Sequence, residues 1–120
     1  MYNASCHCGA IKIEIDEKPE SLTQCTCSIC HRIGAQWAYY TRLQVRVIDP
    51  QGSSTAYLWG DKCIEFYHCE VCGCTTHYES VDKDEDSRIA VNTRTMRPED
   101  VAGIRIRKFD GASTWKFLDE

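Results

Sequence analysis

Apolar and polar residues alternate over several short stretches of this chain, and a period of two is typical of half-buried β-strands. Ile11, Ile13 and Ile15 alternate with polar neighbours, and the segment 104–107 alternates in the same way. Further extended segments are predicted at 37–41, 45–48, 55–59, 63–68, 75–81 and 89–91. The pattern therefore predicts a mainly β fold of mostly antiparallel strands.

Only two segments have helical features. Residues 28–33 form about one helical turn that Gly34 can close, and residues 98–101 begin with proline and two acidic residues. Polar turns are predicted at 49–52 and 60–62, an acidic surface loop at 82–86, and Trp115 and Phe117 are expected to fasten the tail to the body. The sequence contains no linker or repeat, so residues 1–120 are predicted to form a single domain.

The composition is that of an ordinary globular protein, with 42% hydrophobic and 27% charged residues. A net charge of −4 lacks the basic character that nucleic-acid binding requires. The first residues have no export signal, and no apolar stretch is long enough to cross a bilayer. We therefore expect a cytoplasmic protein with neither nucleic-acid nor membrane partners; the sequence does not indicate its oligomeric state.

Nine cysteines are far more than a chain of this length usually contains. An odd number, the absence of an export signal and the grouping of seven of them in close pairs or triples argue against a disulfide framework. Metal-bound thiolates in a reducing compartment fit this pattern better, and zinc is the metal that such sulfur sets favour.

The most informative group is the three-cysteine set, Cys25, Cys27 and Cys30, in which three sulfurs fall within six residues. A disulfide between Cys25 and Cys27 has poor geometry, whereas buried thiols or half of a larger site are open alternatives. Zinc held by three protein ligands retains a position for water or substrate. This set therefore predicts an open, functional zinc site.

Four other cysteines make a second candidate site, which we call the four-cysteine set: Cys6, Cys8, Cys69 and Cys72. Each pair lies on a tight turn beside a predicted strand, and four sulfurs are what a structural zinc requires. Such a site would clamp the beginning of the chain to a distant turn. An alternative in which the pair near residue 70 joins two members of the three-cysteine set is not excluded by spacing.

The remaining candidate ligands carry weaker signals. Cys63 lies in a predicted strand and is expected to be buried in the core, whereas Cys74 is ambiguous. His7, between two predicted ligands, should point into solvent. His31 and His68 each adjoin a predicted ligand, and His31 is a candidate for a fourth ligand to the three-cysteine set.

Four motifs in chain order carry a family resemblance: CHCGA at 6–10, CTCSICHR at 25–32, CEVCG at 69–73 and VNTR at 91–94. With them the chain resembles the glutathione-dependent formaldehyde-activating enzymes, also called the centromere-protein-V family. The resemblance implies a zinc-containing β-tent fold with two zinc ions per chain, one structural on the four-cysteine set and one functional on the three-cysteine set. It also implies a carbon–sulfur lyase that acts on glutathione and formaldehyde.

An open three-thiolate zinc suits a soft ligand, so the leading hypothesis is that a substrate thiol binds there and adds to a small aldehyde. Arg32 and Arg94 are candidates to hold the carboxylates of such a thiol. A competing hypothesis is a non-catalytic zinc module that binds a protein partner, in which both ions are structural.

Overall fold

The computed structural model describes residues 1–60 and 62–118, and it has a strand at or near each segment where alternation predicts one, together with strands at Tyr2–Ser5, Ser21–Cys25 and Phe117–Leu118, which alternation did not predict. Strands make up 44% of the structure, which confirms the mainly β fold class. The elements are β1 (Tyr2–Ser5), β2 (Lys12–Ile15), β3 (Ser21–Cys25), α1 (Ser28–Ile33), β4 (Trp37–Thr41), β5 (Val45–Ile48), β6 (Ser54–Tyr57), β7 (Ile64–Cys69), β8 (Thr75–Ser80), β9 (Arg88–Asn92), α2 (Pro98–Val101), β10 (Arg105–Phe109) and β11 (Phe117–Leu118).

The strands form two sheets. A three-stranded sheet has the order β1-β2-β5, and an eight-stranded sheet has the order β11-β10-β3-β4-β9-β8-β7-β6. All neighbouring strands are antiparallel, as predicted, except β3 and β10, which are parallel and align Cys25 with Phe109. A parallel pair needs a long connection, and here most of the chain lies between the two strands.

The eight-stranded sheet has two faces with different roles, because successive side chains on a strand point to opposite sides. On β4, Ala38 and Tyr40 belong to the main core, whereas Trp37 packs in a second cluster with Phe66. The main core also contains Ile13 from the three-stranded sheet, so the two sheets pack against each other through this face. The opposite face carries the second, aromatic cluster.

Several local predictions can be compared with the structure. Cys63 is exposed, so its predicted core burial was wrong: it lies just before β7, outside the strand, and β7 is next to the edge strand β6. The Lys62 amide donates to the Trp59 carbonyl oxygen at 3.0 Å, as a turn at 60–62 requires, although Asp61 lies outside the described residues. Phe109 contacts both aromatic residues of the tail. No helix in the described part of the chain is long and apolar enough to span a membrane.

Candidate metal centres and the adjoining cavity

The four-cysteine set comes together where the two sheets meet. Cys6 and Cys8 lie in the turn after β1, and Cys69 ends β7 just before the turn that holds Cys72. Both turns have the same construction, in which a glycine with positive φ donates its amide to the carbonyl of the first cysteine. These bonds are 3.2 Å from Gly9 and 2.8 Å from Gly73, at φ values of 85° and 82°.

The sulfur separations in this set match a tetrahedral zinc site. The Cys8 sulfur lies 3.7 Å from that of Cys6 and 3.6 Å from that of Cys69, and all four sulfurs lie within 4.8 Å of one another. Zn–S bonds of 2.3 Å place tetrahedral sulfurs about 3.8 Å apart, far beyond disulfide length. Backbone amides of Cys74 and Cys8 lower the pKa of the Cys72 thiol to about 5. The donor set therefore fits zinc.

The three-cysteine set is presented by the junction of β3 and α1. Cys25 is the last residue of β3, Cys27 is the N-cap of α1, and Cys30 lies inside the helix. Gly34 ends α1 in the left-handed conformation, as the sequence predicted. Because one short helical turn connects all three, their sulfurs lie within 4.8 Å of one another.

Each sulfur of this set accepts an N–H hydrogen bond. The Cys27 amide donates to Cys25 at 3.4 Å, the Cys30 amide to Cys27 at 3.4 Å, and the Trp37 indole to Cys30 at 3.3 Å. Burial raises the pKa of the Cys25 and Cys30 thiols. Burial also opposes ionisation of Cys27, but the hydrogen bonds outweigh it, led by that from the Cys30 amide, and the pKa of Cys27 is lowered. Donors of this kind support thiolate ligands.

No His, Cys, Asp or Glu side chain within residues 1–60 and 62–118 joins these three at the same distance. His31 is exposed and stands outside the group, and His7 is exposed as expected. Cys74 is half-buried beside the four-cysteine set without entering it. The structure thus groups the cysteines as four and three, and the alternative pairing across the two sets does not occur. Whether each set binds zinc is still a prediction.

A cavity of about 760 Å³ adjoins the three-cysteine set on the aromatic face of the large sheet. Its described lining residues are Cys25, Cys27, Ile29, Cys30, Trp37, Tyr39, Trp59, Gly60, Ile64, Phe66, Tyr78, Arg88, Arg107, Phe109, Gly111, Trp115 and Phe117. Because strands β4, β7, β8, β9 and β10 each contribute side chains from one face, the cavity is an extension of the second hydrophobic cluster.

Neither predicted substrate arginine lies on this cavity. Arg32 is exposed and donates to the Ser28 carbonyl oxygen at 2.8 Å, and Arg94 is exposed in a 3₁₀ turn. Two other arginines line the cavity, Arg88 on β9 and Arg107 on β10. Strand alternation predicts that Arg107 lies on the opposite face of its strand from Ile104 and Ile106. The sequence could not show that this face adjoins the cavity, because that depends on the pairing of β10 with β3.

Gly111 is a further site residue that sequence reasoning missed. A Cβ atom at this position would lie 2.7 Å from the Cys25 sulfur and 3.1 Å from the Cys27 Cβ, so only glycine fits without displacement. The Gly111 backbone also hydrogen-bonds the Cys25 thiol and acts against the effect of burial on its pKa. No sequence signal linked this glycine to a cysteine more than eighty residues away.

Fold and site together define a small mainly β protein with two cysteine clusters that could hold metal ions, one of them open to a cavity. Residues 1–108 match the family described as glutathione-dependent formaldehyde-activating enzyme, and the chain belongs to that family. A crystal structure of a Rhodobacter sphaeroides protein is similar at 27% identity with a TM-score of 0.70, covering 87% of this chain and 98% of that one. A search of curated proteins finds no match.

Proposed function

We propose that this chain is a zinc-dependent carbon–sulfur lyase-like enzyme that interconverts a glutathione-like thiol and a small aldehyde with their adduct. In this proposal the four-cysteine set holds a structural zinc and the three-cysteine set holds a functional zinc, giving two ions per chain. The family match supports a glutathione and formaldehyde substrate pair. Because the reaction needs reduced thiols, we further propose a cytoplasmic location.

One observation carries the proposal. Three sulfurs with metal-ligand spacing face a cavity, and no fourth protein ligand from the described residues fills the remaining position. A zinc ion bound there would lower the pKa of a substrate thiol and favour its thiolate. Three hydrogen bonds to the sulfurs stabilise the ligands in their charged form and fix their positions.

The reaction is a simple addition. The substrate sulfur forms a bond to the carbonyl carbon, the carbon–oxygen π bond breaks, and the proton lost by the thiol ends on the oxygen. The reverse reaction breaks the carbon–sulfur bond and releases the aldehyde. Trp37 and Tyr78 make the side of the cavity next to Cys30 apolar, which would disfavour water there and favour the thiol as the nucleophile.

The cavity also suggests how the substrate is held. Arg88 and Arg107 line it and can attract the carboxylates of a glutathione-like thiol. We therefore propose these two residues for the role that the sequence assigned to Arg32 and Arg94, which lie outside the cavity lining.

The direct test is adduct formation by the zinc-loaded protein. Glutathione and formaldehyde are mixed, and exchange between free and adduct forms is followed by NMR with and without protein. We expect the wild-type protein to accelerate exchange above the uncatalysed rate, and Cys27→Ser to leave it at that rate.

Cys63→Ser is the matched control, because Cys63 is an exposed cysteine that lies in neither set. It should react like the wild-type protein. If a wild-type sample carrying two zinc ions per chain gives no acceleration, the proposal is wrong.

A further inference from the structure

The walls of the cavity are far more aromatic than the adduct of glutathione and formaldehyde requires. The chain has three tryptophans and three phenylalanines, and all six line this one cavity. Glutathione is a polar peptide, and formaldehyde adds a single carbon. Because aromatic walls gain most from covering apolar surface, this lining points to a ligand with a substantial apolar part.

Aromatic rings lie next to the sulfurs. The Trp37 indole donates to the Cys30 sulfur at 3.3 Å, and its ring centroid lies 4.8 Å from that of Tyr78. Phe109 is aligned with Cys25 across the parallel strand pair. The carbon that becomes bonded to sulfur, which comes from the aldehyde, would therefore be surrounded by aromatic side chains.

Two positively charged side chains also line the cavity. Arg107 is two residues before Phe109 on β10, and Arg88 is aligned with Thr41, four residues from Trp37 on β4. Among the described lining residues these are the only charged side chains. Each guanidinium lies over a ring, 4.5 Å from the Tyr39 centroid and 3.7 Å from the Phe117 centroid. These two guanidinium groups are suited to binding carboxylates.

One wall comes from a part of the chain outside the family match. The match ends at residue 108, inside the β10–β11 hairpin, whereas Phe109, Trp115 and Phe117 lie beyond it in the rest of that hairpin. Trp115 is 71% exposed and has a φ of 59°, a conformation that bulky residues seldom adopt. Neither burial nor turn preference accounts for a tryptophan there. A ligand that covers its ring would account for both its position and its exposure.

We infer that the aldehyde partner of this site is aromatic, and that the β10–β11 hairpin, residues 105–118, selects for it. The substrate is then a carboxylate-bearing thiol that adds to an aromatic aldehyde: a carbon–sulfur bond forms, the carbon–oxygen π bond breaks, and the thiol proton passes to the oxygen. This inference rests on the proposed function, because it names the substrate of the same site.

Binding of two stable thioethers tests the inference without turnover. S-benzylglutathione and S-methylglutathione differ only in the ring, and their affinities for the zinc-loaded protein are measured by titration calorimetry. We expect the benzyl compound to bind at least tenfold more tightly. Trp115→Ala should remove most of that difference by weakening the benzyl compound much more than the methyl compound, and Trp115→Phe should restore it.

Two controls match the variants. Tyr57→Ala removes an aromatic ring that is 53% exposed and lies outside the cavity lining, and it should change neither affinity. Arg88→Gln should weaken both thioethers several-fold, whereas Arg94→Gln, another exposed arginine, should weaken neither. Equal affinities for the two thioethers, or equal effects of Trp115→Ala and Tyr57→Ala, would overturn the inference.

Turnover separates this inference from the proposed function. Adduct formation from glutathione is compared for benzaldehyde and formaldehyde, with the aromatic aldehyde expected to show the larger acceleration. If formaldehyde is accelerated and the benzyl preference is absent, the proposed function stands and the inference fails. If the benzyl preference is present but neither aldehyde is accelerated, the ligand class stands and the proposed catalysis fails.

Discussion

The tightest contact at the three-cysteine set is between a glycine and a sulfur. Gly111 sits where a Cβ would lie 2.7 Å from the Cys25 sulfur, and unlike the other six glycines it does not have positive φ. Glycine is therefore needed at this position because a side chain would not fit, and not because of the backbone conformation. This contact ties the tail of the chain to the candidate metal centre.

We expect Gly111→Ala to displace Cys25 and to weaken metal binding at the three-cysteine set by roughly tenfold or more, as changes next to metal ligands commonly do. Cobalt loaded in place of zinc reports the change through its thiolate absorption. Gly52→Ala is the control: its φ of 66° makes alanine unfavourable by about 1 kcal/mol, but it precedes β6, which is far from β3 and the three-cysteine set in the sheet order, and its Cβ would contact nothing. An unchanged cobalt spectrum in Gly111→Ala would contradict this reading.

His77 is the buried residue with the clearest dependence on pH. It is 2% exposed, stacks on Tyr67 and shares a hydrogen bond with the Thr76 hydroxyl at 2.8 Å. Burial lowers its pKa from 6.5 to about 4. The Glu79 carboxylate is 3.8 Å away, but it is ion-paired with Arg42 at 2.8 Å, so burial dominates.

Because the unfolded chain binds this proton more tightly than the folded one, the contribution of His77 is complete above pH 6.5 and is lost as the pH falls toward 4. Over that window the loss is roughly 3 kcal/mol. We expect the free energy of unfolding, measured by urea titration, to fall less between pH 7 and pH 4.5 in His77→Asn than in the wild-type protein. Any effect of acid on bound metal acts equally on both proteins. If the free energy of unfolding depends on pH in the same way for both, the prediction is wrong.

At the scale of elements, the turn of the β10–β11 hairpin is tied to the segment between β3 and α1 by one carboxylate, in addition to the pairing of β10 with β3. Asp110 accepts hydrogen bonds from the Thr26 hydroxyl at 2.9 Å and from the Thr114 amide and hydroxyl at 3.2 and 3.0 Å. The Thr26 hydroxyl is the main cause of the lowered pKa of Asp110. This carboxylate therefore fixes the hairpin against the three-cysteine set.

We expect Asp110→Ala to speed amide hydrogen exchange in residues 110–118 by roughly tenfold, as the loss of about one net hydrogen bond would. The melting temperature should change little, because the hairpin is peripheral. Asp86→Ala removes an exposed carboxylate from the acidic loop and should leave exchange in the hairpin unchanged. Equal exchange in the two variants would mean that Asp110 does not hold the hairpin.

Elements defined by local pattern were predictable, and those defined by distant pairing were not. Alternation located β2 and β4, and Gly34 marked the end of α1, because these signals act within a few residues. β1 was missed because Tyr2–Ser5 has no clear alternation, and it is stabilised by pairing with β2. The parallel alignment of β3 with β10 depends on contacts between residues eighty or more apart, so the cavity that it completes could not be read from spacing.

At the scale of the whole molecule, the two candidate metal centres have unequal structural roles. The four-cysteine set joins a turn of the three-stranded sheet to a turn of the eight-stranded sheet, so it links elements more than sixty residues apart. The three-cysteine set lies within six residues, on one short helix and the strand before it. Spacing along the sequence favoured this division into four and three cysteines, because three ligands within six residues can come together without a long-range contact.

If both sets bind zinc, we expect their loss to have very different effects. A structural zinc contributes an apparent ~10–16 kcal/mol in small domains, which equals or exceeds the net stability of most domains. Cys69→Ser should therefore abolish the cooperative thermal transition. Cys27→Ser should remain folded, melt within several degrees of the wild-type protein and bind one zinc ion fewer. Circular dichroism and metal analysis on the same samples measure both effects.

Cys63→Ser, outside both sets, should melt like the wild-type protein and retain its full metal content. The competing hypothesis of two purely structural ions predicts instead that Cys27→Ser is as destabilising as Cys69→Ser. Equal losses would therefore favour the non-catalytic zinc module. A folded Cys27→Ser protein would show that the three-cysteine set is not needed for folding. The arrangement of its sulfurs would then be explained by a ligand that enters the cavity.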